Sequence, residues 1–222
     1  MFRGEERIST VRPSLAWLLM LPGLAACQTA RPQTPDMPRA SVVVEEAEPW
    51  RGVASARDAA AVEGVGARWT QALAASRGAG FVKRVSAEGV LLEPAAGLPR
   101  AAPAPGSYRC RSIRLGARRW TASAQGFCYV GVEDGQLSLA TELKGLRLGG
   151  YLWELKGGAR LVFLGAAVAA GSKSAAAYGD DPARDTAGLF ERIGEFRYRL
   201  ALPDGPPGAG LTVVELVAAP RA

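Results

Sequence analysis

The sequence predicts a mainly β fold with an N-terminal helical segment (α+β), built from about eight antiparallel strands in an up-and-down barrel or a strongly curled sheet. Three observations carry this. Residues 107–218 divide into short runs of alternating or continuous apolar character. Most of these runs are joined by brief turns, so that sequential neighbours pair antiparallel. Residues 50–88 instead place apolar side chains three and four apart, the spacing of one helix face.

The chain opens with Arg3, Arg7 and Arg12, followed by an apolar run from Leu15 to Leu24. That run is too short to cross a hydrocarbon core of ~30 Å as a helix. A basic lead, a short apolar core and small residues at its end describe a cleaved export signal over 1–26. Leu24-Ala25-Ala26-Cys27 resembles the lipobox of bacterial lipoproteins, in which the cysteine thiol carries diacylglycerol and becomes the new N-terminus. Cys27 is therefore the expected lipidation site, and the membrane the expected partner of the N-terminus. Each buried CH₂ contributes ~0.8 kcal/mol, so two or three chains anchor stably. Gln28 stands where an Asp retains such proteins in the inner membrane, so the expected location is the periplasmic face of the outer membrane. The rest of 27–49 is rich in Pro and polar residues and too poor in apolar surface to fold, which makes it a disordered tether.

Residues 50–222 are long enough for one domain with its own core. The net charge is +6, of which the 1–26 segment carries +1 (three Arg, two Glu). The remaining excess is spread thinly, without a basic block, and argues against nucleic acid as a partner. There is no histidine, which removes the commonest general base and the commonest metal ligand. Cys110 and Cys128 are isolated from any metal-ligand pattern, and in an oxidising compartment they read as a structural disulfide.

Helix signals run from Trp50 to about Ser76, with Asp58 as a candidate cap and Val62, Val65, Trp69 and Leu73 on one face. Arg77-Gly78-Ala79-Gly80 ends that helix, and Phe81–Ala87 fits a short helix or a strand. Strands are expected at about 108–113, 127–132, 136–143, 150–155, 160–168, 187–193, 196–202 and 211–217. Glu133-Asp134-Gly135 is a hairpin turn signal. A polar loop spans 171–185. A sheet of this size protects its edges by curling or closing, and a lipocalin-like barrel is the favoured form, with the helix plugging an end or covering an edge.

The stretches Ala104–Arg111, Phe127-Cys128, Leu161–Gly165, Tyr178-Gly179, Arg184–Gly194, Arg199–Pro203 and Val214–Val217 resemble an uncharacterised family of exported proteobacterial proteins, the domain of unknown function 4893. The resemblance covers 50 to the C-terminus and implies architecture and export, but no activity. Leu143-Lys144-Gly145-Leu146-Arg147 departs from the polar segment associated with that family at this point.

Four sets of residues bear on a site. Arg184, Asp185, Glu191 and Arg192 form two acid–base neighbours, readable as a polar ligand site at a barrel mouth or as a salt-bridged strand and turn. Tyr108, Trp153, Phe163, Phe190 and Tyr198 line either a cavity for an apolar ligand or a packed core. Arg109, Arg111, Arg118, Arg119, Arg197 and Arg199 suggest a basic surface toward anionic lipid or wall polymer, or a solvated outer face. Asp180, Asp181 and Asp185 lack a calcium-loop spacing and fit a turn. No SxxK or GxSxG pattern is present, and no cofactor is expected. The functional expectation is a non-enzymatic, membrane-anchored module for a small or lipid-like ligand or an envelope component. A structural or protein-interaction lipoprotein with a filled barrel is the alternative.

Overall fold

The computed structural model describes residues 48–116, 120–205 and 210–219. The export signal, Cys27, the tether, Arg118 and Arg119 lie outside them. The elements are α1 (Ala56–Glu63), α2 (Val65–Ser76), α3 (Val82–Ala87), β1 (Gly106–Leu115), β2 (Thr121–Ala122), β3 (Gly126–Glu133), β4 (Gln136–Leu143), β5 (Leu146–Glu154), β6 (Arg160–Ala167), β7 (Asp185–Arg192), β8 (Arg197–Pro203) and β9 (Leu211–Ala218). Every strand pair is antiparallel, and neighbours in sequence are neighbours in the sheet, apart from the two-residue β2 at the side of β1.

The sheet closes because β1 is long enough to serve two partners. Its residues 106–110 pair with β3, and its residues 108–115 pair with β9. The result is an eight-stranded barrel of β1 and β3–β9, which leaves no free edge around the ring. Asp134 and Gly135 both take positive φ (49° and 82°), the geometry whose twist matches a two-residue hairpin. Closure also needs a tight approach between β5 and β6. Gly150 and Gly165 face each other there, and a Cβ on Gly150 would meet the Leu164 carbonyl oxygen at 2.3 Å.

Strand register sorts the side chains into two sets. Inward positions of all eight strands meet in one apolar cluster, with Leu139, Leu152, Phe163, Phe190, Leu200 and Val214 among its members. Tyr198 stacks on Phe190 (ring centroids 5.6 Å) and meets Tyr108 edge-on (5.9 Å). The Cys110–Cys128 disulfide lies in this interior and joins β1 to β3, with the Cα atoms 5.9 Å apart. The barrel centre is thus filled by side chains, the outcome open to barrels of this strand number.

The outward positions differ around the ring. On β1 and β6–β9 they form a second core with the helical segment, in which Ile113, Val162, Leu189 and Val213 pack with Trp69 and Leu73. Both faces of this covered wall are therefore buried. On β3 and β4 the outward side is open, with Phe127 51% and Tyr129 46% exposed. The helical segment neither plugs an end nor caps an edge. It lies across the outer wall, because a closed ring has no edge to cover while the apolar outward rows of β6–β9 have no other way to leave water. Its N-cap is Ser55, whose hydroxyl accepts from the Asp58 N–H at 3.2 Å; Asp58 sits inside the first turn rather than at the cap. The segment Phe81–Ala87 resolves as helix: the chain kinks at Gly80 and continues as α3.

Candidate functional site: an open groove on the barrel wall

Register lays out the open wall as a grid. Tyr129 on β3 is level with Ala140 on β4 and Gly149 on β5. The next outward row is Gly131, Ser138 and Tyr151. Two tyrosines thus stand at opposite corners, and the four positions between them carry almost no side chain. Over this shelf passes a strap formed by the start of the β6–β7 connection. Shelf and strap enclose an open groove of about 560 Å³, floored by the grid and roofed by residues 173–178.

The strap is fixed at both ends. Arg147, outward on β5, donates to the carbonyls of Ser172 (3.3 Å) and Lys173 (3.0 Å) while its Nε pairs with Glu142 at 3.0 Å. At the other end the Tyr178 hydroxyl donates to Asp58 at 2.6 Å and accepts from the Ser55 N–H at 3.0 Å. Between these ties Ala175 rests on Gly149: a Cβ there would come within 3.3 Å of the Ala175 methyl. Burial pushes the Asp58 carboxyl up, but hydrogen bonds from Arg57, Tyr178 and Ser55 outweigh it and hold the group below the usual carboxylate range. Burial first, then the bond to Asp58, raises the Tyr178 phenol. At the rim the Tyr151 hydroxyl donates to Glu133 at 2.9 Å, which raises the Tyr151 phenol.

The residues singled out from the sequence do not converge on this groove. Tyr108 and Phe163 are buried in the barrel interior, Tyr108 with its hydroxyl donating to the Ala104 carbonyl at 2.6 Å. Trp153 points outward and packs against the helical side, its Nε1 buried with no hydrogen-bond partner. Asp185 and Glu191 share a face of β7 but sit roughly 20 Å apart along it. Arg184 pairs with Asp181 at 3.0 Å, and Asp185 accepts from the Gly179 N–H at 3.1 Å. Arg192 donates twice to the Pro99 carbonyl (2.9 and 2.7 Å). Among the described residues, no group of three or more His, Cys, Asp or Glu is placed to hold a metal ion.

Glu191 instead serves Arg199, its register partner on β8 and the most fully enclosed charge among the described residues. Arg199 is 0% exposed, pairs with Glu191 Oε2 (2.6 and 2.8 Å) and donates to the carbonyls of Val90, Leu91, Glu93 and Pro94. Its guanidinium also lies 4.4 Å over the Trp69 ring. A second cluster ties α3 to the covered wall: Arg111 bonds Glu215 and Glu88, each at 2.6 Å, and Arg197 bonds Glu215 at 2.6 Å. Of the arginines read as a basic surface, Arg199 is thus buried, Arg111 and Arg197 are partly exposed but paired with carboxylates, and Arg109 is exposed; the helical segment lands on the face that Arg111, Arg197 and Arg199 share.

The family model described as a domain of unknown function, number 4893, matches residues 50–216. The chain belongs to this family. No curated protein and no solved structure matches it. The matched span begins at Trp50, fully buried beside α1, and ends within β9, so it takes in the helical cover, the barrel and the groove alike.

The groove residues Tyr129, Ser138, Gly149, Tyr151 and Tyr178 escape sequence reasoning, because the first four lie on three different strands and meet only through register. The signal that does exist is the smallness of alternate residues on β3–β5, at Gly131, Ser138, Ala140 and Gly149, where an exposed sheet face ordinarily carries long polar side chains.

Proposed function

We propose that this chain is a lipid-anchored, non-enzymatic binding module of a bacterial envelope, and that its ligand is held in the groove between the β3–β5 wall and the strap. The anchoring part rests on the lipobox ending at Cys27 and on the Pro-rich segment after it. The Cys110–Cys128 disulfide suits an oxidising compartment and so supports export. The observation that carries the binding part is the pairing of a filled interior with a groove of about 560 Å³ on the outside, a volume in the range of small-molecule sites. Ligand access thus lies at the wall, not at the barrel mouth.

A photo-crosslinking amino acid at Tyr129 of the full chain, expressed in cells, tests this. A defined non-protein adduct is expected at Tyr129 and none at Val82, which is equally exposed on the helical side. Equal labelling at both positions, or labelling at neither, overturns it. Loss of membrane retention in Cys27→Ser tests the anchor.

The filled interior also favours a second reading, a structural or protein-interaction lipoprotein without a small ligand. Labelling at neither position leaves that reading standing.

A further inference from the structure

We infer that the groove takes a β-linked hexose glycan, two rings of which lie across the shelf between Tyr129 and Tyr151. This rests on the groove being the binding site, and adds the ligand's chemical class. Two strand spacings and one outward row separate the Cα atoms of the two tyrosines, roughly 12 Å along the diagonal, the scale of two linked pyranose rings. A pyranose offers an apolar C–H face and an equatorial belt of hydroxyls. The shelf offers the complement. Tyr129 is half exposed and level in register with Ala140 and Gly149, whose small size leaves its surroundings open to a flat ligand. Hydrogen-bonding groups stand around this floor: the Ser138 hydroxyl, the carboxylates of Glu133 and Glu142, and the Lys173 amine. Two of them are already oriented, Glu133 by the Tyr151 hydroxyl and Glu142 by Arg147, so that less ordering remains to be done on binding.

The same features disfavour other ligand classes. A lipid chain is best served by an enclosed apolar channel, whereas this groove is open along one side and rimmed by charge. Nucleic acid and other polyanions meet two carboxylates at the rim. A peptide adding as a strand needs a free edge, and β4 and β5 are hydrogen-bonded on both sides.

The test is a titration of the isotope-labelled full chain in detergent micelles with two soluble probes, the β-1,4-linked N-acetylglucosamine tetramer and cellotetraose, followed by backbone amide shifts. Saturable shifts are expected at Gly131, Gly149 and Ala175, with affinity at least tenfold weaker in Tyr129→Ala and in Tyr151→Phe. Tyr151→Phe keeps the ring and removes only the hydroxyl that orients Glu133, so it guards against a trivial loss of fold. Absence of saturable shifts with either probe, or shifts confined to other surfaces, overturns the inference. A lipid adduct at Tyr129 in the cross-linking experiment overturns it too, while leaving the groove reading intact. Co-sedimentation with purified wall polymer separates the sources: pelleting that Tyr129→Ala abolishes indicates wall glycan, and tetramer binding without pelleting indicates a soluble oligosaccharide.

Discussion

The covered wall and the open wall are made of the same antiparallel ladder, yet they do different things. On β6–β9 both faces are dry, one against the barrel interior and one against the helical segment. That burial concentrates stability, and it forces charges such as Arg199 to be fully paired, since an unpaired ion in such a place costs several kcal/mol. On β3–β5 one face is dry and the other wet. There the outward residues contribute little to folding, and their smallness on the shelf creates space rather than filling it. The difference teaches that in this fold the wall that concentrates stability is not the wall that carries the proposed binding groove, so substitutions on the two walls are expected to separate as well.

The sharpest break of that comparison is Arg199→Ala. Removing the guanidinium strands Glu191 and four carbonyls, and the expected loss is about 3–5 kcal/mol in denaturant unfolding. Arg147→Ala on the open wall, where both members of the pair are exposed, is expected to cost about 1 kcal/mol or less. Equal losses at the two sites contradict the division.

Next is the seam where the walls meet. Replacing Cys110 and Cys128 together by Ala removes the cross-link between β1 and β3 and is expected to lower stability by roughly 3 kcal/mol. Groove affinity is expected to stay within twofold under native conditions, because neither sulfur reaches the outer face.

Interior burial has a pH signature. Desolvation pushes the Tyr108 phenol up to about 12. A group whose folded value is raised supports the fold fully below its unfolded value and loses that support as pH rises through the folded one. Stability is therefore expected to fall by about 3 kcal/mol between roughly pH 10 and 12. Tyr108→Phe is expected to make that limb shallower, leaving the part due to the other raised phenols, Tyr178 and Tyr198, and chemical unfolding across this range reads the difference directly.

Asp58 acts in the opposite direction. Its carboxyl is held below the ordinary range, so its contribution is present above about pH 4 and disappears as pH falls through the depressed value. Asp58→Asn is expected to flatten the acid limb and, by loosening Tyr178, to raise amide exchange in residues 173–178 before anything changes in β6–β9.

The smallest stability effects belong to the shelf. Tyr129→Ala and Ser138→Trp are each expected to stay within about 0.5 kcal/mol of the parent, the first losing a stacking face and the second filling the groove.

The barrel was legible from the sequence because its strands announce themselves. Asp134-Gly135 between alternating runs marks a hairpin, and the short spacing of later runs leaves antiparallel neighbours as the simple arrangement. The place of the helical segment was misread as an end or an edge, although Leu161-Val162-Phe163-Leu164 and Leu211-Thr212-Val213-Val214 run almost continuously apolar, which asks for cover on both faces. The partners of charged residues were not legible. Arg199 and Glu191 are eight apart on adjacent strands, and their burial depends on where residues 90–94 land. The groove was hidden for the same reason, since its corners come from separate strands and its roof from a loop with no pattern of its own.

The most direct measurement is native mass spectrometry of the full chain extracted in detergent from its own cells, comparing the parent with Ser138→Trp. A defined ligand mass on the parent, absent from Ser138→Trp at an unchanged melting temperature, is the result predicted for a site on the open wall. The same mass on both proteins contradicts it and returns the ligand to the interior or to the helical side.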